Sequence, residues 1–480
     1  MKKILNFIDG VFVEPKTGNF LQSFNPAYGE PHLLVADSGA EDVADAVHAA
    51  QRVFPEWAGL EPGERSRYLF RIADLIEKRR EQFAEAESAD QGKPVWLAEA
   101  MDISRVIHNF RFFASAILHS TDEAMQTNQN CLTYVTRRPV GVAGLISPWN
   151  LPLYLLTWKI APAIGFGNSV VCKPSEFTSH TAEMLCEVLQ EAQLPAGVVN
   201  MVFGTGPGAG EALVRHPDVP LISFTGGTAT GRAIAQIAAP MFKKLSLELG
   251  GKNPAIILDD ADFDRAIETT VNSSFLNQGE ICLCGSRIYV QRGIYEAFVS
   301  KFTERVRKLQ IGDPRKRETF VGPLVSRQHL EKVESFMDVA RNEGAEILCG
   351  GERPNLEGKL KNGYFFQPTI LTGVKHESRL QQEEIFGPVV TLTPFVSDEE
   401  ALRLANGVSY GLSATVWTNS LPRAHRMAER LEAGTVWINT WLKRDLRAPF
   451  GGMKASGIGR EGQEGSREFF TEAKTIVIEV

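Results

Sequence analysis

From Tyr134 onward the chain repeats one pattern: a short apolar run, a break bearing Gly or Pro, then a stretch with helical periodicity. The runs are "VGVAGLIS", "SVVCKPS", "VNMVFG", "LISFTGG", "KLSLELGG" and "NPAIIL"; "TAEMLCEVLQEAQ" and "TGRAIAQIAAP" are two of the helical stretches. Runs this short and continuously apolar are covered on both faces, and a helix between successive runs returns the chain in the same direction. That combination predicts βαβ units around a parallel sheet, an α/β fold. The alternation resumes after residue 285 with "SRIYVQ", "EILCGG", "PTILTGV" and "VWINTW". At 480 residues the chain outgrows one core, which implies two or three domains. No linker or low-complexity tract separates the two series, so the domains are expected to interleave.

Ahead of the sheet, "NFIDGVFVE" and "TGNFLQSFNPAYGE" read as short strands, and helices begin near Ala40, near Pro62 and near Val95. The second is expected to run to about Ala89, with Leu69, Ile72, Leu75, Ile76 and Phe83 at helical spacing and with Pro62 and Gly92 as punctuation. The third is expected to run to about Leu118, with Ile103, Val106, Ile107, Phe110, Phe113 and Ala114 on one face. A net charge of −7 argues against nucleic acid as the main partner. No apolar run is long enough for a membrane span, and the N-terminus lacks the apolar core of a signal peptide. Six Cys in so long a chain fit the reducing cytoplasm.

Two of those thiols fall in "FLNQGEICLCGSR", residues 275–287. Cys282 and Cys284 have no nearby His or second Cys pair to complete a metal site. A disulfide between positions i and i+2 is strained, and a buried small hydrophobe is the ordinary role of a free Cys. The polar "NQGE" before Cys282 reads instead as an exposed loop. Upstream, "LSLELGGKNPAIIL" places Glu248 at the carboxyl end of an apolar strand beside Gly250 and Gly251, where α/β proteins locate chemistry. No G-x-G-x-x-G fingerprint is present. In its place "SFTGGTATGRAIAQ" sets Gly226, Gly227 and Gly231 between a strand and a helix, an arrangement that lets a helix N-terminus approach a phosphate.

Taken together, "SPWN" (147–150), "KPSE" (173–176), "FTGGTATG" (224–231), "LELGGKNP" (247–254), "NQGEICLCGSR" (277–287), "EEIFGP" (383–388) and "PFGGMKASGIGRE" (449–461) resemble the aldehyde dehydrogenase family over nearly the whole chain. The resemblance implies Cys282 as nucleophile, Glu248 as general base and the Asn150 amide, with a backbone N–H, as oxyanion donor. Family members that pass the acyl group to coenzyme A typically lack this Glu, so a free acid is the expected product. NAD is the expected cofactor. It would be held by Ile146, Ser147, Pro148, Trp149, Lys173, Ser175, Glu176, Gly206, Phe224, Gly226, Gly227, Gly231, Leu249, Glu384 and Phe386. Glu176 would accept hydrogen bonds from a ribose 2′-OH and repel a 2′-phosphate. Gly227 stands where the family commonly has Ser, which removes one hydroxyl near the phosphates. Glu461 matches a residue credited with proton relay; a surface ion pair is the competing reading.

The resemblance also implies an architecture: a doubly wound NAD-binding domain (1–116 and 140–250), a second α/β catalytic domain (251–452) and a small oligomerisation sheet (117–139 and 467–480). An apolar terminal strand, Thr475 to Val480, points to a homodimer or homotetramer. For the substrate, Arg444 lies in "WLKRDLRAPFGG", a tunnel loop in the family, and Arg105 on a tunnel helix. Helical spacing nevertheless puts Arg105 on the polar side of its helix, as a solvated residue would be; Arg111 and Arg447 are weaker candidates. "MDISR", "NFRFFAS" and "WLKRDL" resemble the branch that oxidises 2-aminomuconate and 2-hydroxymuconate semialdehydes, whose remote carboxylate two guanidiniums would anchor. The alternatives are a dehydrogenase for other aldehydes such as betaine aldehyde, which paired arginines would repel, and a catalytically silent NAD-binding scaffold.

Overall fold

Five of the apolar runs are parallel neighbours in one eight-stranded sheet, in the order Lys244–Glu248, Leu221–Thr225, Val142–Ile146, Ser169–Lys173, Val199–Met201. The computed structural model describes residues 1–479. The chain winds outward from Val142–Ile146 through Ser169–Lys173 to Val199–Met201, then crosses back to Leu221–Thr225 on the other side. This reversal leaves a crevice at the carboxyl ends of Val142–Ile146 and Leu221–Thr225, the place where doubly wound sheets take ligands. Antiparallel strands finish both edges: Asn6–Ile8 with Val11–Val13 on one side and Gly457–Ile458 on the other. The last of these comes from far beyond residue 250, so the C-terminal part of the chain helps to close the first sheet.

The helix Pro152–Gly165 follows the first of these strands, and every one of its residues is buried. Its sequence is apolar nearly all round, which only a helix enclosed on all sides tolerates. Pro152 opens it at a position that needs no N–H. A seven-stranded sheet forms the second layer, ordered Glu346–Cys349, Thr369–Thr372, Val389–Phe395, Gly285–Gln291, Asn253–Ile257, Ser413–Trp417, Thr435–Ile438. All its pairings are parallel except that of the Glu346–Cys349 edge.

A third, antiparallel sheet pairs Thr471–Glu479 with Cys131–Pro139, and Cys131–Pro139 with Ala124–Asn128. It exposes Met125, Leu132, Val477 and Ile478. The segments expected there begin differently: Ile117–His119 is a closing helical turn, and the helix Gln463–Phe470 precedes the final strand. Val480, expected in that strand, lies outside the described residues.

Two expected helices are segmented. Pro62–Lys78 and Arg80–Gln91 meet at Arg79, which leaves helical geometry and directs its guanidinium to Glu187 and Glu191. Gly92 ends the second at φ +98, a conformation open to Gly. The third consists of Val95–Leu97, a wide π-type turn over Ala98–Ile103, and Ser104–Ala116. The apolar stripe of that last segment packs in the core as its spacing requires.

Candidate active site

Cys282 sits on a loop that the "NQGE" reading misjudged. Asn277, Gln278, Gly279 and Glu280 are all buried. Asn277, Gln278 and Gly279 have φ of +53, +55 and +72, so three successive residues are left-handed. Such geometry costs about 1–3 kcal/mol per non-Gly residue and persists only where neighbours enforce it. The polar side chains supply that enforcement. Glu280 accepts from Gln91 Nε2 at 2.7 Å and from Val325 N at 3.2 Å, while Asn277 Nδ2 reaches Asn150 O at 3.1 Å. Polarity in this stretch marks internal hydrogen bonding and not solvent exposure. Past the thiol, Asn253 Nδ2 donates to Cys282 O at 2.7 Å and to Cys284 O at 2.9 Å.

The Cys282 side chain borders a narrow, mostly apolar cavity with Glu248, Leu249, Tyr154, Trp158, Arg105 and Arg444 on its walls. Cys284 is buried beside the loop and lines a different small cavity. Glu248 ends the strand Lys244–Glu248, and neither of its buried carboxylate oxygens has a hydrogen-bond partner among the described residues. Burial foremost, and then the Glu461 carboxylate, raise its pKa well above the usual carboxylate range; Lys159, Arg444 and Arg460 oppose them. Burial also pushes the Cys282 thiol up, with Glu384 and Glu248 adding to the shift and Arg444 opposing it. A buried acid without a donor is held in a costly state, as residues that must exchange protons often are.

Glu461 is no surface residue. It is buried, accepts from Lys159 Nζ at 2.9 Å and from Trp158 Nε1, and lines the same cavity. Lys159 also donates to Ser223 Oγ at 2.9 Å. Lys159, Trp158 and Tyr154 went unnoticed in the sequence. The legible signal was a lysine inside "LPLYLLTWKIAPA", since a charge in an otherwise apolar helix needs a buried partner.

Asn150 is buried at the turn before the helix Pro152–Gly165, and its Nδ2 donates to Glu280 O at 2.9 Å. That bond leaves the amide one further N–H. Arg444 donates to Tyr154 Oη at 3.0 Å and lies 3.7 Å from the Phe450 ring centroid, a cation–π stack. Arg105 is half-buried and lines the cavity, while His108 one turn on is exposed, so the polar side of the helix meets the enclosure at Arg105 and water beyond it. Neither arginine has a carboxylate partner among the described residues. Arg111 pairs with Asp74 and Glu77, and Arg447 with Asp445, both outside the cavity walls.

The crevice at the strand reversal is a cleft of ≈ 580 Å³, a size that suits a cofactor. Ile146, Ser147, Pro148, Trp149, Lys173, Ser175, Glu176, Gly206, Phe224, Gly226 and Gly227 line it, joined by Pro207, Glu211, Val214, Thr230 and Ile234. Gly227 caps the helix Thr228–Ala238 with no side chain over the free N–H groups, which suits an anion. A Cβ at Gly226 would lie 2.4 Å from the Phe224 ring, so any other residue there would have to displace that ring. Lys173 Nζ pairs with Glu176 at 2.9 Å. Gly231 and Leu249 do not line the cleft. They meet each other, a Cβ at Gly231 falling 2.4 Å from Leu249 Cδ2, which is a requirement of close helix–strand packing. Glu384 accepts from Gly251 N at 2.8 Å, and Phe386 packs edge-on to Trp149 at 5.3 Å. Both border a separate small cavity that shares Ile281 with the Cys282 cavity. Thr225 borders both the cleft and the Cys282 cavity, so the two are neighbours.

A doubly wound cleft beside a cavity that holds a thiol and an unpaired carboxylate suits an oxidoreductase with a covalent step. Residues 12–476 match the aldehyde dehydrogenase family, and the chain belongs to that family. It is 56% identical over 476 residues, 98% of this chain and 97% of the relative, to a 2-aminomuconic semialdehyde dehydrogenase of Bos taurus. It is 46% identical over 486 residues, covering all of both chains, to a 2-hydroxymuconic semialdehyde dehydrogenase of Pseudomonas sp. (strain CF600). The solved NAD+ complex of an aldehyde dehydrogenase from Bacillus cereus superposes with a TM-score of 0.97 at 40% identity, covering 100% of this chain and 97% of that one.

Proposed function

We propose that the protein oxidises an anionic semialdehyde, 2-aminomuconate or 2-hydroxymuconate semialdehyde, to the free acid with NAD. The observation that carries the substrate class is the pair of guanidiniums, Arg105 and Arg444, that share one apolar cavity with Cys282 and lack a carboxylate partner among the described residues. A carboxylate at the far end of the substrate completes both, and anchoring that end sets the aldehyde carbon against the sulfur. Two guanidiniums on the cavity wall repel a quaternary ammonium substrate, which disfavours betaine aldehyde. Identity above one half to a 2-aminomuconic semialdehyde dehydrogenase supports the same reading.

The chemistry follows from the residues in hand. The Cys282 sulfur adds to the carbonyl carbon as its proton passes to solvent, with Arg444 opposing the upward shift that burial imposes on the thiol. The carbonyl oxygen becomes an oxyanion, met by the free N–H of Asn150 and the backbone N–H of Cys282. The 146–149, 173–176 and 226–227 segments would hold NAD in the cleft, where it would supply the acceptor for the hydride that leaves the thiohemiacetal carbon. A thioester on Cys282 remains. Glu248 then draws a proton from water, the oxygen attacks the thioester, and the acid leaves as the sulfur is restored. Glu176, tied to Lys173 at the end of the cleft, favours a cofactor with a free 2′-OH.

The exposed apolar side chains and open edge of the third sheet support a homodimer or homotetramer. Six free cysteines fit the cytoplasm. Steady-state rates for a panel of muconic semialdehydes, betaine aldehyde and simple aldehydes, each with NAD and NADP, test the proposal. The muconic substrates with NAD are expected to have the highest kcat/KM. A higher kcat/KM for betaine aldehyde overturns the substrate class, and absence of NADH with every aldehyde favours the silent scaffold.

A further inference from the structure

The corner Gln91-Gly92-Lys93 ends the helix Arg80–Gln91 and makes no contact with the cavity, yet its side chains are fully buried. Lys93 Nζ donates to Asp102 Oδ1 at 2.9 Å and to the main-chain oxygen of Asn150 at 3.0 Å. Gln91 Nε2 donates to the Glu280 carboxylate at 2.7 Å, and its Oε1 accepts from Lys93 N at 2.9 Å. Asn150 and Glu280 are in turn joined, because Asn150 Nδ2 donates to Glu280 O and Asn277 Nδ2 reaches both main-chain oxygens. One corner therefore grips both sides of the oxyanion site: the Asn150 turn through Lys93 and the Cys282 loop through Gln91.

The surroundings give the corner no other evident purpose. A fully buried lysine contributes little stability compared with an apolar side chain of its size. Asp102 keeps one oxygen without a partner, and the adjacent Glu87 spends its oxygens on Leu153 N and Thr181 Oγ1. Asp102 belongs to the wide turn that leads into the helix carrying Arg105. Gly92 is pinned as well: a Cβ there would fall 2.7 Å from Pro323 O. A rigid, doubly anchored corner is what an amide needs to be held within a fraction of an ångström against a left-handed loop under strain.

We infer that Gln91 and Lys93 are positioning residues that set the Asn150 amide and the Cys282 loop in register for oxyanion stabilisation. This rests on the proposed oxyanion role of Asn150. The test is a cycle of Lys93→Met, Asn150→Ala and the double variant in the full-length protein, with kcat and KM measured for the best semialdehyde and NAD. Asn150→Ala is expected to lower kcat about 100-fold or more. Lys93→Met is expected to lower kcat about tenfold or more with KM within about twofold, and to add less than about twofold in the Asn150→Ala background. A loss from Lys93→Met that multiplies fully with that of Asn150→Ala overturns the inference, because a general structural defect does not need the amide. A Lys93→Met kcat within about twofold of native overturns it too. If Asn150→Ala alone leaves kcat unchanged, the oxyanion reading itself fails, and this inference falls with it. Should Lys93→Met fail to fold, Gln91→Met in the same cycle decides, with the same two outcomes; its neutral side chain leaves the buried ion pair in place.

Discussion

Replacing Arg444 with alanine separates anchoring of the substrate from every other effect of that charge. Its guanidinium is stacked 3.7 Å from the centre of Phe450 and tied to Tyr154 Oη, so it is held in place before the substrate arrives. A carboxylate at about 4 Å interacts with it by about 1 kcal/mol at the dielectric of water and about 4 kcal/mol at the value typical of protein pairs. Removing one partner of a buried charge pair costs about 2–5 kcal/mol. The low end of that range already predicts about a 30-fold loss in kcat/KM for a muconic semialdehyde. Arg444 also opposes the upward pKa shifts of Cys282 and Glu248, so Arg444→Ala slows neutral aldehydes to some extent. The informative quantity is therefore the ratio of kcat/KM for the anionic substrate to that for a neutral aldehyde of similar length, read from NADH absorbance. A fall of about 30-fold in this ratio is expected. A ratio within about twofold of native refutes anchoring, even if both rates drop.

Tyr154→Phe keeps the ring and removes the hydroxyl that steadies Arg444; KM for the anionic substrate is expected to rise about three- to tenfold, with neutral aldehydes unchanged in the same assay. Glu248→Gln is expected to cut steady-state turnover about 10²–10⁴-fold while an initial burst of NADH survives, which stopped-flow absorbance resolves. In the native enzyme the acid limb of kcat is expected well above the ordinary carboxylate pKa, since activity falls as protons return to a group whose pKa burial has raised. The sign for stability is the opposite of a salt-bridged acid: the folded state holds the Glu248 proton more tightly than the unfolded chain. Its ionisation therefore costs stability as pH rises above the unfolded value, and Glu248→Gln is expected to raise Tm by about 1–2 °C near pH 8 and by nothing near pH 4. Glu176→Gln removes a carboxylate from the cleft wall, and the kcat/KM ratio for NADP over NAD is expected to rise about tenfold.

The parallel sheets were legible because strands covered on both faces must be apolar throughout, and "VGVAGLIS" or "SVVCKPS" permit no other placement. Helix limits were less legible. Nothing in the spacing of Leu69 to Phe83 shows the break at Arg79, which is held by Glu187 and Glu191 from a distant helix. Polarity misled twice for one reason. A polar stretch signals only that hydrogen bonds are needed, and "NQGE" obtains them from Gln91, Val325 and Asn150. Likewise Arg105, on the polar side of its helix, borders a cavity whose walls include Arg444 and Phe450, more than 300 residues downstream. Gly231 was read as a phosphate residue because glycines near a turn share one sequence appearance, whether they admit a ligand or a neighbouring Leu249. The Lys159–Glu461 pair was hidden because its members are 302 positions apart.

Turnover depends on acyl transfer through the sulfur of Cys282. Its most direct measurement is mass spectrometry of acid-quenched Glu248→Gln protein after mixing with a muconic semialdehyde and NAD. The peptide containing Cys282 is expected to gain the mass of the acyl group in step with the NADH burst, and Cys282→Ser to abolish both. An acyl group found on Cys284 or on no residue, together with near-native turnover by Cys282→Ser, contradicts acyl transfer through that sulfur.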